Sequence, residues 1–254
     1  MKSFNDDLPV LTPFDLLDYR RATGALQNFP PPRAVIFAPQ KSLASYVLRR
    51  YYTKRIHGFM GEFYMLKHSK GTIALSTGFG IGAPVVAGLT DEFFALGVKQ
   101  FVLIGIAGGL QPDLKAGSLI ISTGAIRGEG VSCHYLPPAE SVQSSLEMSH
   151  GLEELLKKGG REFSSGVTWT TDAPFRELRK DVLAYQERGI LAVDMEAAGL
   201  LAVAAANGVP AIATFSVADI LANGTWSLSK DMRASQLGLE ILFNTVYAYL
   251  LSNV

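Results

Sequence analysis

The chain has little of what several function classes need. Its 254 residues include one cysteine, Cys133, so no internal disulfide can form and a reducing compartment, the cytoplasm, is expected. No thiol-enzyme motif surrounds Cys133, which therefore reads as a small buried or half-buried side chain. Neither sign of charge is in excess: Lys+Arg and Asp+Glu stand at 23 each, with no basic stripe interleaved with aromatics. Nucleic-acid binding relies on clustered cations that neutralise phosphates, so that class is disfavoured. His57, His68 and His150 lack the partner spacing of metal or triad chemistry, and no metal is expected. The first residues, Met1-Lys2-Ser3-Phe4-Asn5-Asp6-Asp7, carry acids and no apolar run, so no signal peptide is expected there. Nothing resembles a linker, which leaves one domain over residues 1–254.

What is abundant is apolar sequence, 48% of residues, enough for a sizeable core. The longest apolar stretch, 197–218, matches a membrane span in length, but Asn207-Gly208-Val209-Pro210 breaks it with turn signals. A helix, a turn and a buried strand explain it better. Strands are expected at 34–38, 63–66, 73–76, 101–106, 118–122, 166–169, 190–193 and 211–217. Several are continuous apolar runs, such as Phe101-Val102-Leu103-Ile104, the mark of strands covered on both faces. Helices are expected at 84–96, opened by Pro84; at 196–206, stopped by Asn207-Gly208; and at about 230–251, with Leu239, Leu242, Val246 and Tyr249 or Leu250 at helical spacing. This alternation predicts a three-layer α/β/α domain around a central mixed, largely parallel twisted sheet.

Two glycine-rich segments follow strands. Ser76-Thr77-Gly78-Phe79-Gly80-Ile81-Gly82-Ala83-Pro84 leads into a helix, where backbone N–H groups favour anions. Its spacing is neither the dinucleotide fingerprint nor a P-loop, which argues against a nicotinamide-dependent oxidoreductase. Gly105-Ile106-Ala107-Gly108-Gly109-Leu110 ends the 101–106 strand. Ligands of open parallel sheets sit outside the carboxyl ends of strands, so the two loops predict one shared pocket, although plain tight turns would read the same way.

At Val193-Asp194-Met195-Glu196-Ala197-Ala198-Gly199 the sequence resembles the nucleoside phosphorylase/nucleosidase family, which includes purine nucleoside and uridine phosphorylases. Further segments agree in order: the Gly105–Leu110 loop with Gln111-Pro112, Ala125-Ile126-Arg127-Gly128-Glu129-Gly130-Val131-Ser132-Cys133-His134-Tyr135-Leu136-Pro137-Pro138, Trp169-Thr170-Thr171-Asp172-Ala173-Pro174-Phe175-Arg176, and Ser216-Val217-Ala218-Asp219. The Arg-Gly-Glu-Gly and Thr-Thr-Asp-Ala-Pro segments look most like a microbial uridine-phosphorylase branch, and somewhat like AMP nucleosidase. The resemblance implies a phosphorylase-like fold, a homo-oligomer built on dimers and up to a hexamer, a small-molecule nucleoside as partner, and no cofactor beyond inorganic phosphate as co-substrate. It also implies cleavage of an N-glycosidic bond.

The roles it implies follow the chemistry. Breaking a ribosyl bond builds an electron-poor anomeric carbon, so the sugar must be anchored and the base helped to leave. Glu196 is expected to hold both ribose hydroxyls through charge-assisted bonds of about 1.5–3 kcal/mol each, with Met195 packed on the sugar. On its own, a glutamate at a helix start would equally serve the helix dipole. Asp219, if protonated, can donate to N7 of a departing purine; Phe175 stacks on the base and Arg176 hydrogen-bonds it. His134 and Tyr135 read as a structural loop.

The sequence departs from the family where phosphate should bind. Pro39 and Leu43 stand at the first-strand glycine and arginine positions, Leu103 at that of a second arginine, and Ile106 replaces a small or hydroxyl residue. A dianion buried without cations is costly. The substitutes are Lys41, or Lys54 and Arg55 near the segment that in relatives crosses a dimer interface, with the N–H groups of Gly78, Gly80 and Gly82. Phosphate as nucleophile gives a phosphorylase and water an N-ribohydrolase, while a relative without turnover would only bind nucleoside. The sequence leaves these open.

Overall fold

The computed structural model describes residues 9–228 and 232–253. The leader expectation at 1–7 and the start of the last predicted helix at Lys230 lie outside them. The chain opens with α1 (Pro13–Ala22), whose Thr12 and Asp15 cap each other reciprocally, and continues through β1 (Ala34–Ala38) and α2 (Lys41–Arg50). Next come β2 (Thr53–Ile56), β3 (Glu62–Leu66), β4 (Ile73–Thr77), α3 (Ala83–Leu96) and β5 (Gln100–Gly109). After β6 (Leu119–Gly128) and β7 (Ser141–Gln143) follow α4 (Leu146–Lys158), β8 (Ser164–Thr171) and α5 (Arg179–Glu187). The last stretch is β9 (Ala192–Asp194), α6 (Ala197–Ala206), β10 (Ala211–Ile220), β11 (Ser227–Leu228) and α7 (Arg233–Ser252).

The strands form one mixed sheet in the order β11-β10-β6-β8-β9-β5-β1-β4-β3-β2, with β7 on β6. The apolar strands β4, β1, β5 and β10 pair in parallel, as their continuous hydrophobic runs require, whereas β3 and β2 extend the far edge antiparallel. β5 also pairs with β10, so β10, β6, β8, β9 and β5 close into a ring. β9 bridges the ring with short pairings, antiparallel to β5 and parallel to β8. The ring thereby brings the carboxyl ends of β5, β8, β9 and β10 to one rim.

Alternate residues of the buried strands feed two cores. Val35, Phe37, Phe101, Leu103, Ala213 and Phe215 face α3 and α6, whose Val86, Phe93, Leu200 and Leu201 cover them. Ile36, Val102, Ile104 and Ile212 face α2, α4 and α7, under Leu43, Leu152, Leu239, Phe243 and Val246. This is the three-layer arrangement. α6 has buried residues all round because α3 and the sheet enclose it, which explains an apolar run long enough to imitate a membrane span. No described helix is long and apolar enough to cross a membrane.

Two local expectations change. The second glycine segment is not a loop: β5 runs on through Gly109 and pairs with β9 and β10. A Cβ on Gly108 would overlap the Leu221 side chain and crowd Val193 Cγ1 at 3.2 Å, so glycine leaves room for these side chains where β5 meets β9. Cys133 is exposed, in a short 3-10 turn at Ser132–His134.

Candidate active site

The site is built from β8 outward. Thr168 and Thr170 point their hydroxyls at the fully buried Asp194, donating to Oδ2 and Oδ1 at 3.0 Å each. Asp194 Oδ1 also accepts the backbone N–H groups of Glu196 at 2.9 Å and Ala197 at 2.8 Å. Asp194 thus caps α6, supplying the acceptors that helix-start N–H groups need. Glu196, the residue before the first helical one, is left free of capping duty. Its Oε1 instead accepts the N–H of Gly82 at 2.7 Å, across from the β4–α3 loop. Gly82 adopts φ 108°, a region side-chained residues avoid, which aims that N–H at the carboxylate.

Burial governs the electrostatics. Glu196 is 6% exposed, and desolvation pushes its carboxyl up to about 7. The Gly82 N–H pulls the other way, the Asp194 charge adds to the rise, and the Met195 backbone opposes it. Asp194 is raised to about 6 by burial, against its four hydrogen bonds.

Glu196 borders a cleft of about 630 Å³ at the ring's rim, within the size range of small-molecule sites. Ile106, Ala107 and Gly108 from β5, Val193 and Met195 around β9, and Asp219 near the end of β10 line it. Pro174, Phe175 and Glu177 wall it from beyond β8, with Gln40, Ile81, Leu221 and Trp226. The structure therefore brings together Met195, Glu196, Phe175 and Asp219. Asp219 Oδ2 accepts the indole N–H of Trp226 at 2.8 Å. Phe175 stands on the rim, 98% exposed, in a 3-10 turn at Pro174–Arg176.

Other predicted residues are not brought in. Arg176 is exposed on that turn and outside the cleft wall, because neighbouring residues of a tight turn project in different directions. Lys54 and Arg55 lie on β2 at the opposite edge of the sheet, where Arg55 pairs with Glu62 at 3.2 Å. Gly78 and Gly80 do not line the cleft, and the Gly82 N–H is engaged by a carboxylate rather than left for an anion. Leu43 and Leu103 are wholly buried in opposite cores, so no cation stands at either position.

One motif segment, 125–138, serves as scaffolding. Arg127 ties the 128–138 segment through Ser132 Oγ and the Pro137 carbonyl, and Glu129 accepts the N–H groups of Val131 and Ser132. Tyr135 donates to Asp91 Oδ2 at 2.6 Å, away from the cleft. Among the described residues no group of His, Cys, Asp and Glu is placed to hold a metal ion.

Four wall residues were not anticipated: Gln40, Glu177, Leu221 and Trp226. Burial raises the Glu177 carboxyl to about 7, and the nearby Asp219 charge adds to the effect. Gln40 Oε1 is buried without a hydrogen-bond partner among the described residues.

The sequence profile of the Phosphorylase superfamily matches residues 35–250, nearly the whole sheet and every wall of the cleft. The chain belongs to this superfamily. Relatives within it include a uridine phosphorylase of Escherichia coli strain K12, 28% identical over 170 residues, covering 61% of this chain and 65% of that protein. The aligned part is thus just under two thirds of that relative's length. A purine nucleoside phosphorylase, DeoD-type, of Caldanaerobacter subterraneus subsp. tengcongensis is 30% identical over 200 residues, covering 73% of this chain and 81% of the relative. Among solved structures, a uridine phosphorylase from Vibrio fischeri ES114, in complex with 6-hydroxy-1-naphthoic acid, superposes with a TM-score of 0.75. It is 21% identical and covers 89% of this chain and 93% of its own, a likeness of fold. Within the matched region, the end of β8 and residues 193–199 build the Asp194–Glu196 cap.

Proposed function

We propose that this chain cleaves the N-glycosidic bond of a ribonucleoside, passing the ribosyl group to inorganic phosphate and releasing the base. One observation carries the reading. Glu196 is a carboxylate relieved of helix capping by Asp194, fixed by the Gly82 N–H and set on the wall of a nucleoside-sized cleft. Such a group is pre-organised to accept the 2′ and 3′ hydroxyls, and Met195 beside it supplies a soft apolar surface for the sugar. Asp219 and Glu177 border the end of the cleft where the base departs, and exposed Phe175 offers it a ring. Phosphate as acceptor is supported by relatives named as phosphorylases. Lys54 and Arg55 then serve the phosphate of a neighbouring subunit in a dimer-based oligomer.

A second reading, hydrolysis by water, has its own support. Among the described residues, the charged side chains lining the cleft are Glu177, Asp194, Glu196 and Asp219, all acidic. Carboxylates repel a phosphate dianion but not water. Purified protein incubated with purine and pyrimidine ribonucleosides, with and without phosphate, decides between the two. Phosphorolysis predicts base release that requires phosphate, with ribose 1-phosphate formed in equal amount; release unchanged by omitting phosphate contradicts it.

A further inference from the structure

The base end of the cleft holds two carboxyl groups of unequal character. Asp219 sits near the end of β10, where its Oδ2 accepts the Trp226 indole N–H. Glu177 faces the same space from beyond β8, half-buried, immediately after the 3-10 turn. Among the described residues it makes no ion pair, and the charged side chains sharing the cleft with it are Asp219, Asp194 and Glu196. The cations next to it in sequence do not help: Arg176 is outside the wall, and the Arg179 side chain lies against Gly224. Burial disfavours the charged form of the Glu177 carboxyl, and the nearby Asp219 charge adds to the effect. Asp219 Oδ2 already accepts an N–H, whereas among the described residues Glu177 has no donor against it; Glu177, raised to about 7, is the carboxyl that keeps a proton to give.

We infer that Glu177 is the acid that protonates the departing base, and that with Asp219 as the neighbouring acceptor it selects a 6-aminopurine nucleoside. This rests on the nucleoside-cleaving reading above and names its substrate class. One donor beside one acceptor matches an edge that presents an acceptor beside a donor. Adenine offers N7 next to its exocyclic amino group. A 6-oxopurine sets two acceptors there, so its O6 meets the Asp219 carboxylate without a hydrogen. Uracil has no ring nitrogen comparable to N7 to take the proton. In the step itself, the electron pair of the C1′–N9 bond passes to the purine and N7 takes the Glu177 proton, so the base leaves neutral. C1′ accepts an electron pair from an oxygen of hydrogenphosphate. The resulting ester releases one proton to solvent, and the Glu177 carboxylate takes one up.

The test compares kcat/KM for adenosine, inosine and uridine against pH, for wild type, Glu177→Gln and Glu177→Asp. Wild type is expected to favour adenosine over inosine by at least about a hundredfold, since a site built for a hydrogen bond rejects the analogue that cannot make it. Its adenosine profile should fall above about pH 7. Glu177→Gln keeps the shape but carries no transferable proton, so kcat for adenosine should drop on the order of a hundredfold and the alkaline limb should vanish. Glu177→Asp should recover part of the rate together with the limb. Inosine cleaved as well as adenosine, or Glu177→Gln with unchanged kcat and limb, overturns the inference while leaving nucleoside cleavage intact. The wild-type preference needs no variant to fold. No base released from any nucleoside by wild type overturns the functional reading and this inference with it.

Discussion

At the scale of the residue, the site is a set of carboxyls held where water would not leave them. Glu196 and Asp194 have folded-state values of about 7 and about 6, above their ordinary 4.5 and 3.8. An acid raised on folding binds its proton more tightly in the folded chain, so stability is greatest below the ordinary value. It is lost as pH rises toward the folded one. Urea unfolding of wild type should show stability falling from about pH 4.5 to about pH 7, and Glu196→Gln should flatten the upper part of that fall. At neutral pH the variant should be the more stable by up to about 2–3 kcal/mol; a variant with the wild-type slope and midpoint contradicts the assignment. Glu196, Met195 and Asp219 were legible because they sit in contiguous motifs. Glu177 and Gln40 were not: each becomes part of the site only where the ends of β8 and β1 meet strands distant in sequence. A glutamate after Phe175-Arg176 reads like any solvated turn residue. Arg176 lies outside the cleft wall for the mirror reason, since adjacency to Phe175 on a tight turn does not give it the same direction.

At the scale of the element, the buried strands carried the clearest pattern. β1 matches its expected limits residue for residue, and β4 and β10 start where the apolar runs start. α2 and α4 were missed although their apolar residues follow helical spacing, as in Met148, Leu152 and Leu156, because polar faces dilute the signal. β2 was missed because Lys54 and Arg55 are exposed, as charges on an edge strand often are. The same charges read as anion ligands when the strand was not seen. The cap that orients Glu196 belongs to this scale too: Thr170 Oγ1 donates to Asp194 and accepts the Ala198 N–H at 2.9 Å. Thr170→Val preserves shape and deletes both bonds, so stability should fall by about 1.5–3 kcal/mol. kcat/KM should drop about tenfold or more as the start of α6 loosens. Calorimetry and steady-state kinetics check the pair, and a variant stable and active as wild type would show that the cap does not position Glu196.

At the scale of the whole molecule, the three layers followed from alternation of apolar runs and amphipathic segments, but the ring did not. Its closure depends on β5 pairing with both β10 and β9 through Gly108 and Gly109, and glycines after a strand read more naturally as a turn. That closure makes one cleft out of the ends of four strands, so the two glycine segments do serve one pocket. Their part differs from the expected one: Gly108 admits its neighbours, and Gly82 holds Glu196. The nucleophile is decided at the same scale. Among the described residues no cation lines the cleft itself, so the phosphate reading depends on cations from outside that lining, which is why phosphate omission is informative.

The central claim is that Glu196 grips the ribose during glycosidic cleavage. The most direct measurement is base release from the best ribonucleoside of the panel and from its 2′,3′-dideoxy analogue, by wild type and by Glu196→Gln. The account predicts that wild type loses about several hundredfold in kcat/KM on the dideoxy substrate, the cost of two charge-assisted bonds. Glu196→Gln should lose a similar factor on the ribonucleoside and little more on the analogue. A variant as active as wild type, or one that suffers the full dideoxy loss again, would contradict it.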